Sequence, residues 1–549
     1  MTDVKDIITS ETNDVENHIF PSNNTGINSV NDQEITPHTW TQFGNLSKSS
    51  WQTAASYTFC LEMVVLVYLL GQVNKDEDNL AAITLITGLI NALICVSISP
   101  LLAMSLVAGK DLGQLKEAVA HAESEEQLLL RKERISAVLR NGLIISVPMA
   151  VVAGLPMVFS KDLLVNCFHQ KAAVAQITQN FVRPYAIAVP GIMIRVATSQ
   201  IMFMFGRTKP AMIIGLGSLI GGMTIGSIYA YGWLGAPKLG NDGIMIGAIL
   251  NEWATALIYA GYIAWSPRLK GFDFYNFRAP LNPHLAQLHD VWTQGRTFML
   301  SMTAETAMQL MLGSFAGLVG TQQQAAYSSI MQISTFSFLL QLAFGQSAAR
   351  EMTLTMNARK FKHASQSAKL SLLALLVYTT PVMLAFIAYP DALADIQGNQ
   401  NHEYRNILRN LARIALPGCY LDMIRCMFLE QMRVLGDARR SAFISSSSIF
   451  AGIALSYYLG LHTSLKLEGV ATGYTLSSGF AAAILGAIWL KKSQPKAIEH
   501  TVKNPEQFPS LIQWCCAFSP KRSNTPQHSM ENDLEEHSKI EMTENPIRN

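Results

Sequence analysis

Apolar stretches of roughly 20 residues or more, each bounded by charges or turn residues, recur along this chain from residue 52 to residue 490. A helix of about 20 apolar residues spans the hydrocarbon core of a bilayer, so each stretch is a candidate crossing. Twelve are predicted, over 52–72, 80–108, 136–159, 181–205, 210–234, 243–265, 297–319, 324–347, 368–389, 410–432, 441–461 and 468–490. The fold class expected is therefore an all-α polytopic membrane protein. Composition agrees: only 15% of the 549 residues are charged and 49% are hydrophobic, with a mean hydropathy of +0.21, where soluble chains carry about 25% charge. A net charge of +2 without a basic, aromatic-rich run excludes nucleic acid as the expected partner. The seven cysteines show no metal-ligand spacing, and four fall in apolar stretches where they pack as small hydrophobes. The polar first fifty residues lack a signal-peptide pattern, so the first crossing is expected to direct insertion.

Loop charges predict orientation. Loops after even-numbered spans are rich in Lys and Arg, including Lys110, Arg131, Arg207, Arg350, Arg433 and Arg440. Loops after odd-numbered spans hold far fewer, among them Lys75, Lys161, Lys171, Lys238, Arg405 and Lys466. Both termini are thus expected in the cytoplasm, with the protein multi-pass in the cytoplasmic (plasma) membrane.

The two halves repeat one another. Gly206-Arg207-Thr208-Lys209 precedes an apolar helix, then Gly243 and Gly247, then Trp265; Gly436-Asp437-Ala438-Arg439 precedes another, then Gly469 and Gly473, then Trp489. Leu80-Ala81-Ala82 is echoed by Gln324-Ala325-Ala326. Twelve helices therefore divide into two pseudo-symmetric six-helix lobes about a central pathway. The expected organisation is a disordered cytoplasmic tail (1–50), a first lobe (51–270), a cytoplasmic linker (271–296), a second lobe (297–492) and a mostly disordered cytoplasmic tail (493–549). The 110–134 loop reads as a solvated helix, and 508–518 as a surface-lying segment with Cys515 and Cys516 open to acylation. The glycine steps 217–221, 222–226 and 313–317 read as helix-packing contacts.

Ionisable groups inside membrane helices cost about 2.5–3.5 kcal/mol each on insertion scales and so ask for a reason. Six stand out: Glu62, Arg195 and Glu252 in the first lobe, and Glu305, Asp422 and Arg425 in the second. Glu62 and Glu305 differ by 243 positions, against 244 for Ala81 and Ala325, while Arg195 and Arg425 each precede their loop glycine by eleven. Arg195 can form an ion pair with Glu62 or Glu252, and Asp422 with Arg425 three residues on. Glu305 and Asp422 facing one cavity would repel, and a proton or Na+ would relieve that repulsion. Met-rich walls suit varied apolar shapes.

On these repeated turns, the two small-residue segments and the acids Glu305 and Asp422, roughly residues 51–492 resemble the multidrug and toxic compound extrusion (MATE) family. Glu305, fifteen residues before Gly320, and Asp422, fourteen before Gly436, look like the helix-seven and helix-ten acids of its NorM-like branch. The resemblance implies coupling-cation binding there and export of an amphipathic, cationic organic compound in exchange for Na+ or H+, with no other cofactor. Departures accompany it. Leu66 stands where the family has an aspartate, with Glu62 one turn earlier; Gly or Ile near 221–226 replaces an Asn and an Asp; and Glu252 replaces a threonine. Gly418 stands where the NorM-like branch has a tyrosine, with Tyr420 nearby. The first-lobe site is rebuilt or absent, Glu62 and Glu252 being its remaining relay candidates. Arg195, Arg425 and Tyr420 are candidates for ion pairing or substrate contact, and the two arginines admit an anionic or zwitterionic substrate. The expected partners are a small-molecule substrate and the lipid bilayer, and the expected state is a monomer. Rival readings are a lipid or oligosaccharide flippase and a non-transporting receptor; no nucleophile or paired-histidine set supports an intramembrane enzyme.

Overall fold

The computed structural model describes residues 39–57, 77–121, 123–166, 172–267, 269–276, 282–396 and 401–503, and its regular structure among them is entirely helical. In chain order the helices are α1 (Thr39–Ser56), α2 (Glu77–Leu102), α3 (Met104–Ala120), α4 (Glu125–Val158), α5 (Ser160–Asn166), α6 (Ala172–Tyr185), α7 (Val189–Met204), α8 (Thr208–Tyr231), α9 (Asn241–Trp265), α10 (Asn282–Val319), α11 (Thr321–Asn357), α12 (Phe361–Ala388), α13 (Asp391–Ile396), α14 (His402–Val434), α15 (Ala438–Leu461), α16 (Lys466–Lys492) and α17 (Pro495–Lys503). Eight of the described helical segments are long and apolar enough to cross a membrane. Three more, α10, α11 and α14, with 38, 37 and 33 residues, are as long but more polar. Outward-facing Val147, Ile220, Leu257, Phe480 and Leu490 stay exposed, as lipid-facing side chains must. Glu62, Leu66, Lys75, Lys171, Cys60, Cys167, Cys515 and Cys516 lie outside the described residues.

The repeat has a physical basis. Gly206 and Gly436 both adopt left-handed backbone, with φ of +70° and +79°. Each ends its helix with the same long-reach bond: Arg207 N–H donates to the Met202 carbonyl at 2.8 Å, and Asp437 N–H to the Met432 carbonyl at 3.0 Å. The paired glycines then bring neighbouring backbones together. A Cβ on Gly247 would lie 2.5 Å from the Gly226 backbone, and one on Gly473 2.5 Å from the Ser456 backbone nitrogen. Such close approach is what holds helices together where lipid removes the hydrophobic drive. Ala82 and Ala326 are both fully buried. Of the other glycine steps, Gly226 makes such a contact, whereas Gly217 faces open space and Gly313 meets only the Tyr327 ring edge at 4.0 Å.

Several expected boundaries move. Residues 39–56 of the first tail are helical: α1 buries Leu46 and Thr53, and Gln42 donates to Ser367 Oγ at 2.7 Å, so a stretch too polar for lipid is satisfied by protein. The 110–134 loop is chiefly the end of α3 and the start of α4; Asp111 is buried, accepting from Gln287 at 2.9 Å and facing Arg134 at 3.5 Å. The 271–296 linker is packed, with Phe272 and Phe274 against Phe205, and α10 already under way at Asn282. The last tail begins with α17, whose Ile498 is fully buried against the second lobe. Arg433, counted above among loop charges, is a buried helical residue. The second span breaks at Ala103 just after Pro100, and the fourth divides into α6 and α7 around a 3-10 turn before Pro190.

The lobes meet at the end of the bundle carrying α3 and the α11–α12 turn. Glu117 pairs with Arg359 at 2.6 Å, and Arg350 Nε donates to the Met204 carbonyl at 2.9 Å. A Cβ on Gly113 would lie 2.6 Å from Asn357 Cβ, so the two surfaces touch without a gap.

Candidate functional site

The second lobe gathers its three membrane charges around one guanidinium. Asp422 and Arg425 lie three apart on α14, hence on one face, and Arg425 Nε donates to Asp422 Oδ1 at 2.9 Å. Its Nη2 donates to Glu305 Oε1 on α10 at 3.0 Å, and Nη1 donates to Ser445 Oγ on α15. Ser478 on α16 adds a bond to Asp422 Oδ1 at 3.2 Å, and the Cys426 thiol lies 3.4 Å from Glu305 Oε1. Arg425 is 0% exposed and Glu305 7%. The acids therefore do not face each other bare, because the guanidinium stands between them and bonds to both. With all three groups ionised the cluster carries one net negative charge, since one base serves two acids.

Beside this cluster is a partly open cavity lined from α10, α11, α14 and α16. Glu305 and Asp422 reach it; Arg425 does not line it. Met308, Met331, Met423 and Phe338 give it apolar walls, while Tyr327, Gln341 and Tyr474 add polar points. Tyr327 Oη and Gln341 Oε1 are buried without a hydrogen-bond partner. Tyr420 is elsewhere, its hydroxyl 2.7 Å from Thr380 Oγ1, and it does not line the cavity. The ring space next to Gly418 is filled from α16: a Cβ on Gly418 would lie 3.0 Å from the Tyr474 ring. A phenol is thus delivered beside Asp422 from a different helix. Sequence reasoning missed Tyr327, Gln341 and Tyr474. Signals existed for two of them, since Tyr327 directly follows Gln324-Ala325-Ala326 and Tyr474 directly follows Gly473.

In the first lobe Arg195 on α7 lies 2.9 Å from Glu252 on α9, and Glu252 is 1% exposed. Nearby, Asn251 and Thr255 bond to Ser218 on α8 at 3.0 and 2.7 Å, and Tyr259 donates to the Ala211 carbonyl at 3.0 Å. The structure brings Arg195 and Glu252 together; Glu62 is outside the described residues.

Residues 130–228 and 298–458 match the MatE family model, one segment in each lobe. The chain is 21% identical over 409 residues to a probable multidrug resistance protein NorM of Synechococcus sp., covering 73% of this chain and 81% of that one. It is 22% identical over 379 residues to the multidrug resistance protein NorM of Vibrio cholerae serotype O1, covering 66% and 80%. The fold is similar to that of the eukaryotic MATE transporter AtDTX14, with a TM-score of 0.72 at 14% identity over 85% of this chain and 100% of that one. The bent form of the Vibrio cholerae MATE transporter VcmN gives a TM-score of 0.67 at 16% identity over 84% and 99%.

Proposed function

This chain belongs to the MATE family of membrane transporters, and from that premise we propose that it is a secondary active efflux transporter exchanging Na+ or H+ for an amphipathic, cationic organic compound by alternating access. One observation carries the coupling part of this reading: Arg425 balances only one of Glu305 and Asp422, leaving a single negative charge at the edge of the cavity. A coupling cation or a cationic substrate neutralises that charge equally well, so the two compete for one site and each favours a different facing of the lobes. The NorM relatives' names supply the drug-export part. The substrate is placed in the cavity beside Glu305 and Asp422. The cavity's methionine and aromatic walls accept varied apolar bodies, and Tyr327 and Tyr474 offer ring faces to a cation. In the described state Glu117–Arg359 and Arg350 hold the lobes together at one end; opening there is the other half of the cycle.

The test is movement of a fluorescent cationic dye in inside-out proteoliposomes under a Na+ gradient or a pH gradient imposed separately. Dye movement should follow one gradient and disappear in both Glu305→Gln and Asp422→Asn while the proteins remain folded and inserted. Full gradient-driven movement in both variants would overturn the assignment.

A further inference from the structure

A polar stripe is duplicated on the outside of the two lobes. Gln176, Asn180 and Arg183 on α6, and Asn406, Asn410 and Arg413 on α14, share the spacing i, i+4, i+7, which puts each trio on one helix face. All six side chains are exposed. Arg183 and Arg413 differ by 230 positions, as do Gly206 and Gly436, so the arginines hold equivalent places in the repeat. The opposite face of each helix is buried in its lobe, through Val174, Thr178 and Phe181 on α6 and Tyr404, Leu408 and Leu411 on α14. Cys419, on the cavity wall, continues the buried face of α14, so the stripe looks away from the cavity.

The stripes change character at the arginines. Beyond Arg183 the same face presents Ile187, 63% exposed, and Pro190; beyond Arg413 it presents Pro417, Leu421 and Ile424. Neighbouring helix ends give the depth. Gln179 donates at 3.2 Å to the carbonyl of Val158, the last residue of α4, and Arg183 is one turn deeper, level with Leu155 on α4, which is 53% exposed. In the second lobe Arg409 meets Asp391 just past the end of α12, and Arg413 is again one turn deeper, beside the last turns of α12, where Leu384 is 58% exposed. Both arginines thus lie where a polar surface gives way to an apolar one, at the α5 and α13 end of the bundle, opposite the end where the lobes meet.

Nearby cations are answered within the protein. Arg405 and Arg409, two turns and one turn before Arg413, pair with Asp395 and Asp391 at 2.6 and 2.7 Å, and Lys161 donates to Gln176 Oε1 at 2.7 Å. Among the described residues neither Arg183 nor Arg413 has an ion-pair or hydrogen-bond partner. A guanidinium at the edge of the hydrocarbon extends to headgroup level, where lipid phosphate accepts two parallel N–H bonds from it.

We propose that Arg183 and Arg413 are two matched binding sites for the phosphate of an anionic phospholipid, one on each lobe, in the leaflet at the α5 and α13 end. Asn180 and Asn410, three residues nearer the surface on the same face, add amide N–H donors. Asn180 accepts from Gln176 through its carbonyl oxygen at 2.9 Å, which turns its amide nitrogen to the headgroup. A lipid with one net negative charge balances one guanidinium, as the aspartates balance Arg405 and Arg409. The two sites anchor both lobes at equal depth in the bilayer.

The experiment is native mass spectrometry of the full chain in detergent, with phosphatidylglycerol or phosphatidylcholine added at equal concentrations. Arg183→Gln and Arg413→Gln should each retain one phosphatidylglycerol fewer than the wild type, and the double variant two fewer. Both positions are exposed, so the substitutions leave the fold intact. Arg409→Gln removes the same charge from a position already matched by Asp391 and should keep the wild-type number. The wild type should retain less phosphatidylcholine than phosphatidylglycerol. Wild-type retention of phosphatidylglycerol by the double variant would overturn the proposal. So would an equal loss in Arg409→Gln, which marks diffuse attraction to surface charge, and so would equal retention of the two lipids by the wild type, which marks a site indifferent to net lipid charge.

Discussion

The two lobes start from the same plan and use their arginines differently. Arg195 and Arg425 hold equivalent places, each eleven residues before a left-handed glycine. Arg195 pairs with Glu252, whereas Arg425 bonds to both Glu305 and Asp422. A balanced pair inside a membrane is neutral and can be permanent. An acid in excess is a vacancy for a cation. On the coupling role proposed for Glu305 and Asp422, the duplicated fold keeps its scaffold in both halves and sets its cation site at the two-acid cluster of the second.

Removing the arginines should have the largest effect and should separate the lobes most clearly. Arg425→Met leaves the buried Glu305 and the partly exposed Asp422 without their shared base, and breaking a buried pair costs about 3–5 kcal/mol; thermal unfolding in detergent should show this loss, with Arg195→Met less affected. Adding Asp422→Asn to Arg425→Met should recover part of the stability. Equal losses in both lobes, with no recovery, would remove the distinction drawn between them.

The glycine hairpins test what the lobes share. Gly247→Ala and Gly473→Ala each drive a Cβ into the adjoining helix, and both should lower stability by about 1–3 kcal/mol. Gly217→Ala, facing open space, should be neutral in the same unfolding assay. A large effect in one hairpin alone would mean that the repeat extends to sequence but not to packing.

The closing tryptophans should differ again. Trp489 is buried and its Nε1 donates to Gln431 Oε1 at 2.5 Å, while Trp265 is 84% exposed. Trp489→Phe leaves that buried amide oxygen without its donor and should cost about 1–3 kcal/mol, whereas Trp265→Phe should leave unfolding unchanged. The smallest effect belongs to the surface pair Asp391–Arg409, at 2.7 Å. The Arg409 hydrogen bond holds the Asp391 carboxyl below the usual carboxylate range, so its small contribution is present at neutral pH and is lost only as pH falls through that lowered value. Asp391→Asn should leave the melting temperature at pH 7 unchanged within error.

Much of this was legible in the residues because lipid imposes a strict pattern. Apolar length marked the spans, and the glycine turns at 206 and 436 exposed the repeat, because both require left-handed backbone. The rare intramembrane charges then stood out. What one sequence does not carry is which helix faces meet. Spacing put Asp422 and Arg425 on one face, but nothing in it placed Glu305 on the same guanidinium, or Tyr474 in the space beside Gly418. Hydropathy also misled at α1 and α17, which pack on neighbouring protein: Gln42 bonds to Ser367, and Ile498 is buried against the second lobe.

The most direct measurement sets the two lobes side by side: gradient-driven export of a cationic dye by Glu305→Gln and by the charge-balanced pair Glu252→Gln with Arg195→Gln, at matched protein levels in the same proteoliposome preparation. The account predicts that Glu305→Gln abolishes coupled export while the first-lobe pair still drives it. Coupled export that survives in Glu305→Gln and vanishes in the first-lobe pair would place the coupling in the other half of the molecule and contradict the account.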